Sequence, residues 1–285
     1  MYFWPVKRNA LYLLLGLGLN CPLLFAQLEE IVPLPKEVAE SSGLAFDGET
    51  LWTHNDSGNE DIIYGIDPSV GTVKTKIYPK GTYNEDWEDL AYLRKGVVFI
   101  ADIGNNNFNR KQLKIYGFNL SDDPNPETQT LIINFPPEFT SKKGKIQLDF
   151  EALVQIDDYF YLFSKTRKNK FEELTRVFQV RSVPGEQQAV YCGTISLCKK
   201  DKNCKITGAA FHQGSDRLAL LSHKNVWIID NFDPQQLDVV QSKRLEFNKE
   251  TQKEGITFID ANTVYISEER NKGKQRLYKL SFQDD

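Results

Sequence analysis

Short runs rich in Val, Ile, Tyr and Phe alternate along this chain with joints rich in Gly, Asn, Asp and Pro. No segment shows a sustained 3.6-residue apolar period, so the pattern predicts strands and turns rather than helices. One phrase recurs. It opens as Glu40-Ser-Ser-Gly-Leu-Ala-Phe and returns as Glu88-Asp-Leu-Ala-Tyr and Glu151-Ala-Leu-Val-Gln-Ile. A degenerate copy reads Gly208-Ala-Ala-Phe, and the last reads Glu254-Gly-Ile-Thr-Phe. A turn and a second apolar run follow each phrase: Leu51-Trp-Thr-His, Val97-Val-Phe-Ile-Ala, Tyr159-Phe-Tyr-Leu-Phe-Ser, Leu218-Ala-Leu-Leu-Ser and Val264-Tyr-Ile-Ser. A third run closes every copy, and a fourth is present in the first four, such as Val73–Ile77 and Leu131–Phe135.

Four short strands repeated every 45–60 residues or so is the period of a propeller blade. The expected fold is an all-β, five-bladed β-propeller, or six-bladed if one blade is irregular. The fifth copy lacks a fourth strand, and Leu28–Leu34 is a spare one. It is expected to join the last blade and close the ring, because an open propeller would leave two unpaired sheet edges. The stretch 119–144, with its Asp-Asp-Pro-Asn-Pro and Phe-Pro-Pro, reads as long connections inside blade two.

Residues 1–26 stand apart. Lys7 and Arg8 precede the apolar run Ala10–Leu19, and Ala26 offers a small residue before Gln27. This is the pattern of a secretory signal peptide, which leaves a single propeller domain over 27–285 and predicts an exported protein. Cys21 as a lipoprotein cysteine is the less favoured reading, because Asn20 precedes it. No later stretch approaches the roughly 20 apolar residues of a membrane helix. Export places Cys192, Cys198 and Cys204 in an oxidising space, where one disulfide and one free thiol is the simplest count.

A net charge of −4 gives no basic footprint for nucleic acid. Loss of Lys7 and Arg8 leaves 33 Lys and Arg from the 35, against 39 acids, a net −6. A monomer is expected.

In a propeller the first strand of a blade starts, and the second ends, on the same face. The repeat therefore gathers Glu40, Glu88, Glu151 and Glu254 from first strands at one channel mouth. With them come Asn55, Asp56, Asp102, Lys165, His223 and Glu268 from the ends of second strands. Carboxylates crowded round one axis repel one another unless a cation binds, protons remain, or Lys165 and Arg270 pair with them. Oxygen donors, with amides such as Asn55 and Asn105, favour Ca²⁺ over zinc. The expected metal ligands are Glu40, Asn55, Asp56, Glu88, Asp102 and Glu151. Lys165, Arg270, Asn105 and Arg167 are the expected ligand-binding residues, suited to a small anionic molecule. His223 as general base, with Glu254 and Glu268, makes the expected catalytic set. A Glu at a strand start also serves commonly as a clip between blades.

Glu40-Ser-Ser-Gly-Leu followed by Leu51-Trp-Thr-His-Asn-Asp resembles the exported propellers related to gluconolactonases, paraoxonases and phytase-like esterases. Glu254-Gly-Ile and Asp102 are similar in style. The resemblance implies Ca²⁺ at the channel mouth and metal-dependent hydrolysis of an ester, lactone or phosphoester. The alternative is a propeller that binds a ligand or protein without chemistry.

Overall fold

The computed structural model describes residues 28–93, 96–121, 123–165, 174–197, 204–237 and 240–282. Strand β1 (Glu29–Pro33) comes first, and a one-turn 3-10 segment, Lys36–Val38, follows it. Blade 1 is β2 (Ser41–Phe46), β3 (Leu51–Asn55), β4 (Ile63–Asp67) and β5 (Thr72–Ile77). Blade 2 is β6 (Trp87–Leu93), β7 (Val97–Asp102), β8 (Leu113–Asn119) and β9 (Gln129–Asn134). Blade 3 is β10 (Phe150–Ile156), β11 (Tyr159–Ser164), β12 (Thr175–Arg181) and β14 (Val190–Ile195), with β13 (Gly185–Gln188) in the connection before its last strand. Blade 4 is β15 (Ile206–His212), β16 (Arg217–Ser222), β17 (Asn225–Ile229) and β18 (Lys243–Glu246). Blade 5 is β19 (Lys253–Asp260), β20 (Thr263–Asn271) and β21 (Lys274–Ser281), and β1 pairs antiparallel with β21 as its outer strand. The ring thus has five blades and closes through the N-terminal strand, as the repeat predicts.

The inner strands β2, β6, β10, β15 and β19 touch in that order and back to β2, which defines the axis. They approach so closely that a Cβ on Gly255 would overlap the Ser42 carbonyl oxygen. Five apolar clusters hold the molecule together, one in each gap between blades. Trp87, for example, is fully buried between blades 1 and 2 with Trp52 and Tyr116, and Trp227 between blades 3 and 4 with Phe163 and Leu218. Strand alternation explains the arrangement: both faces of each sheet meet a neighbouring blade, so both faces are apolar.

One strand has no counterpart in the repeat. β13 leaves blade 3 and runs parallel to β9, which makes blade 2 five-stranded and covers its edge. Among the cysteines, Cys192 is free and Cys204 is disulfide-bonded, while Cys198 and Cys21 lie outside the described residues, as does the whole segment 1–26. No helix among the described residues is long and apolar enough to cross a membrane.

Candidate functional site

The same bulge occurs at the start of every inner strand. Ser41 pairs with Asn55, Trp87 with Asp102, Phe150 with Ser164, Ile206 with Ser222 and Lys253 with Glu268; the register then slips. In blades 2 to 5 the extra residue is Glu88, Glu151, Thr207 and Glu254, and Ser42 takes the corresponding place in blade 1. A bulge re-aims its side chain, and here it turns three glutamates of distant sequence towards one end of the channel. The two hydroxyls clip blades: Ser42 Oγ donates to the Glu88 carbonyl at 2.7 Å, and Thr207 Oγ1 to the Lys253 carbonyl at 2.7 Å.

This pairing corrects the sequence alignment in two places. Glu40 precedes the bulge of blade 1 by two residues. It is exposed on the rim and accepts a bond from Asn59 Nδ2 at 2.6 Å. At the ends of second strands, the position facing the mouth is held by Asp56, Lys165, His223 and Glu269. Each is one residue beyond the paired residue, so Asp102 and Glu268 face elsewhere. Asp102 is fully buried and grips the Arg110 guanidinium through both oxygens at 3.0 Å. Glu268 lies between blades 4 and 5, bonded to Tyr278 Oη at 2.6 Å and Arg276 Nη1 at 3.2 Å.

The two expected amide ligands are also committed elsewhere. Asn55 Oδ1 accepts the Glu40 N–H and its Nδ2 donates to the Glu37 carbonyl. Asn105 Oδ1 accepts the N–H groups of Asn109 and Arg110, and its Nδ2 donates to the Ile146 and Leu148 carbonyls. Both fix loops rather than present oxygens. Arg270 is exposed, with its backbone N–H on the Ala39 carbonyl. Arg167 lies outside the described residues.

What remains at the mouth has two halves. On one side, oxygens of Asp56, Asp86 and Glu88 lie within 4.8 Å of one another. Gly104 packs directly against the last two, and a Cβ there would overlap Glu88 Oε1 and Asp86 Oδ2. Asp86 is absent from the sequence expectation. It sits two residues before the Glu88 bulge, where blades 1 and 5 carry Glu40 and Gln252. On the other side, His223 Nε2 bonds Glu254 Oε1 at 2.7 Å, with Glu269 close by. Between them Lys165 Nζ pairs with Glu151 Oε2 at 2.8 Å, both nearly buried.

The electrostatics follow from this crowding. Burial raises Asp56 to about 6, and Asp86, Glu151 and Glu254 add to the shift. Burial, then Glu254, Asp56 and Glu40, lift Glu269 to about 8. Glu88 is pushed well above the carboxylate range by burial and by Glu151, Asp56 and Asp86, and Asp86 is raised mainly by burial. Burial opposes the Lys165 ammonium, but Glu151, Glu254 and Glu88 outweigh it and raise its pKa. The mouth thus crowds carboxyl groups round one embedded lysine, a set of oxygen donors of the type that hard cations use.

No family model and no curated protein sequence matches this chain. Solved structures do share its shape. The PQQ-bound aldose sugar dehydrogenase of Streptomyces coelicolor is 12% identical, with a TM-score of 0.52 over 90% of this chain and 98% of that one. The apo soluble aldose sugar dehydrogenase of Escherichia coli is 10% identical, with a TM-score of 0.50 over 90% and 100%. The allergen Mala s 1 of Malassezia sympodialis is 10% identical, with a TM-score of 0.57 over 90% and 96%. Identities this low establish the propeller fold and nothing finer; they do not single out the gluconolactonase and paraoxonase group.

Proposed function

We propose that the mouth binds a hard divalent cation, Ca²⁺ by its donor chemistry, on Asp56, Asp86 and Glu88, and hydrolyses a small anionic ester, lactone or phosphoester beside it. The observation that carries this reading is the gathering of those three carboxylates within 4.8 Å. Two oxygens each 2.3–2.6 Å from one Ca²⁺ lie at most about 5 Å apart, so the spacing fits. An all-oxygen donor set disfavours zinc. A bound cation would supply charge neutralisation and Lewis acidity to a substrate oxygen.

The chain's own residues take the other roles. Lys165 holds positive charge at the centre of the mouth and draws in an anion. A carboxylate only accepts, so the bond to Glu254 places the proton on His223 Nε2 and leaves Nδ1 as the proton acceptor. The His223 side chain is 32% exposed, enough to meet water. Glu269, raised to about 8, carries a proton at neutral pH and can give it to a leaving oxygen. The signal-like segment 1–26 supports export, to a space rich in Ca²⁺.

The test has two stages. Melting temperature should rise in millimolar Ca²⁺ and fall in chelator; no shift removes the cation from the reading. Aryl esters, lactones and phosphoesters are then offered to wild type, Glu254→Gln and His223→Asn. Turnover lost in both variants supports hydrolysis. A Ca²⁺ shift with no turnover on any substrate leaves a binding propeller.

A further inference from the structure

The wall between blades 4 and 5 carries a second cluster, separate from the mouth. The register that takes Glu268 off the axis sets it opposite Lys253. Both line a pocket of about 320 Å³ with Phe247, Arg276 and Tyr278, and Leu28 at the edge. Lys253 is 2% exposed. Its Nζ stands 4.9 Å from the Phe247 ring centre and 5.8 Å from that of Tyr278. It donates to Thr251 Oγ1 and, at 3.4 Å, to the Lys249 carbonyl. Among the described residues no carboxylate lies within ion-pair distance of it. Glu268 is taken by Tyr278 and Arg276, and Arg276 also reaches Glu30 at 3.2 Å.

A buried lysine without a carboxylate partner is expensive as a cation. Burial is the main cause that lowers Lys253 to about 8; Glu268 works against the shift, and the charges of Lys224 and Arg276 work with it. Tyr278 is driven well above its usual range by burial and by Glu268, so it keeps its proton. An amine with an available lone pair thus faces a pocket that also holds an acid hydroxyl and its hydrogen-bonded carboxylate.

We propose that this pocket is a carbonyl site in which Lys253 Nζ forms a reversible imine with a small aldehyde or ketone. The Nζ lone pair attacks the carbonyl carbon, the C=O pair moves to oxygen, and one proton passes from nitrogen to that oxygen. The nitrogen lone pair then forms C=N as the C–O bond breaks. The oxygen leaves as water with the Tyr278 proton, and the second Nζ proton returns to Tyr278 through a solvent water. The net change is amine plus carbonyl to imine plus water, with no oxidant or reductant.

The full chain is incubated with propanal and cyanoborohydride at pH 7.5, and each lysine's propylation is followed by peptide mass spectrometry. Lys253 is expected to react at least tenfold faster than exposed Lys272 and Lys274, and to saturate with propanal. Its rate should climb up to about pH 8 and level off, with Glu30, Lys224, Lys249, Glu268, Arg276 and Tyr278 the charged and titratable groups around it. A Lys253 rate at or below that of the surface lysines overturns the proposal. So does a rate that rises linearly with propanal, as for an amine outside any pocket. Neither readout needs a variant that must fold.

Discussion

Asp89 Oδ2 accepts the backbone N–H of Leu153 at 2.9 Å, from the next blade round the ring. The same oxygen meets the Ala209 N–H at 3.4 Å, and Oδ1 takes the Leu90 N–H at 2.8 Å. One fully buried carboxyl on the axis therefore ties blades 2, 3 and 4. Burial raises its pKa well above the usual range, and the three backbone donors offset only part of that. The clip role expected of a strand-start glutamate belongs to this aspartate and to the Ser42 and Thr207 hydroxyls.

Asp89→Asn replaces an accepting oxygen with a donating amide. A buried N–H, of Leu153 or of Leu90, then loses its acceptor, which costs about 1–3 kcal/mol. Urea unfolding should show a lower midpoint with unchanged slope. Stability equal to wild type would mean that the axial bonds carry no weight.

The mouth predicts an inverted pH dependence. Asp56, at about 6, and Glu269, at about 8, both bind protons more tightly folded than unfolded. Their contribution is fully present below about pH 4 and is lost as pH rises towards 8. In chelator, the melting temperature should fall by several degrees from pH 5 to pH 8.5. Millimolar Ca²⁺ should cancel most of that fall, and Glu269→Gln should reduce it without Ca²⁺. A chelated protein that gains stability over this range contradicts the assigned environment of both groups.

The blades were legible because each inner strand is bounded by turn residues and followed by a second apolar run. The site was half legible. Glu88, Glu151 and Glu254 stand out since a bulge falls at the same place in each copy. Asp102 and Glu268 mislead because they end their apolar runs, whereas the mouth is reached one residue later. Side chains alternate along a strand, so a slip of one position carries a residue to the opposite face. Asp56, Lys165 and His223 were legible as the ends of second strands, whereas Glu269 joins them only once the cross-strand pairs are known. Strand β13 was invisible for a different reason: Gly185–Gln188 has no apolar pattern, and it pairs through its backbone and the Glu186 carboxylate, which accepts Asn134 Nδ2 at 2.8 Å.

Gly104 gives the cleanest separation of site from scaffold. Its backbone is in no strained region, so Ala costs little there in chain conformation. The added methyl must displace the Glu88 and Asp86 carboxyls from their shared position. Gly104→Ala should weaken Ca²⁺ binding at least tenfold by calorimetry, with a melting temperature in chelator close to wild type. Unaltered affinity would move the cation away from Asp86 and Glu88.

Arg110 supports the same carboxylates from behind. Its guanidinium, almost wholly buried, spans Asp102 and the Gly104 carbonyl, and lies 3.4 Å from Glu85. Asp102 in turn accepts the Asp86 N–H at 3.0 Å. The pair thus fixes the backbone of both Asp86 and Gly104. Arg110→Met strands a buried carboxylate, and such single removals cost about 3–5 kcal/mol. The double variant Arg110→Met with Asp102→Leu removes both charges and should recover much of that loss. It should not recover Ca²⁺ affinity, because Asp86 no longer has its N–H anchor. Recovery of both together would show that Asp86 is held by its own turn, and that the Arg110–Asp102 pair serves only the core.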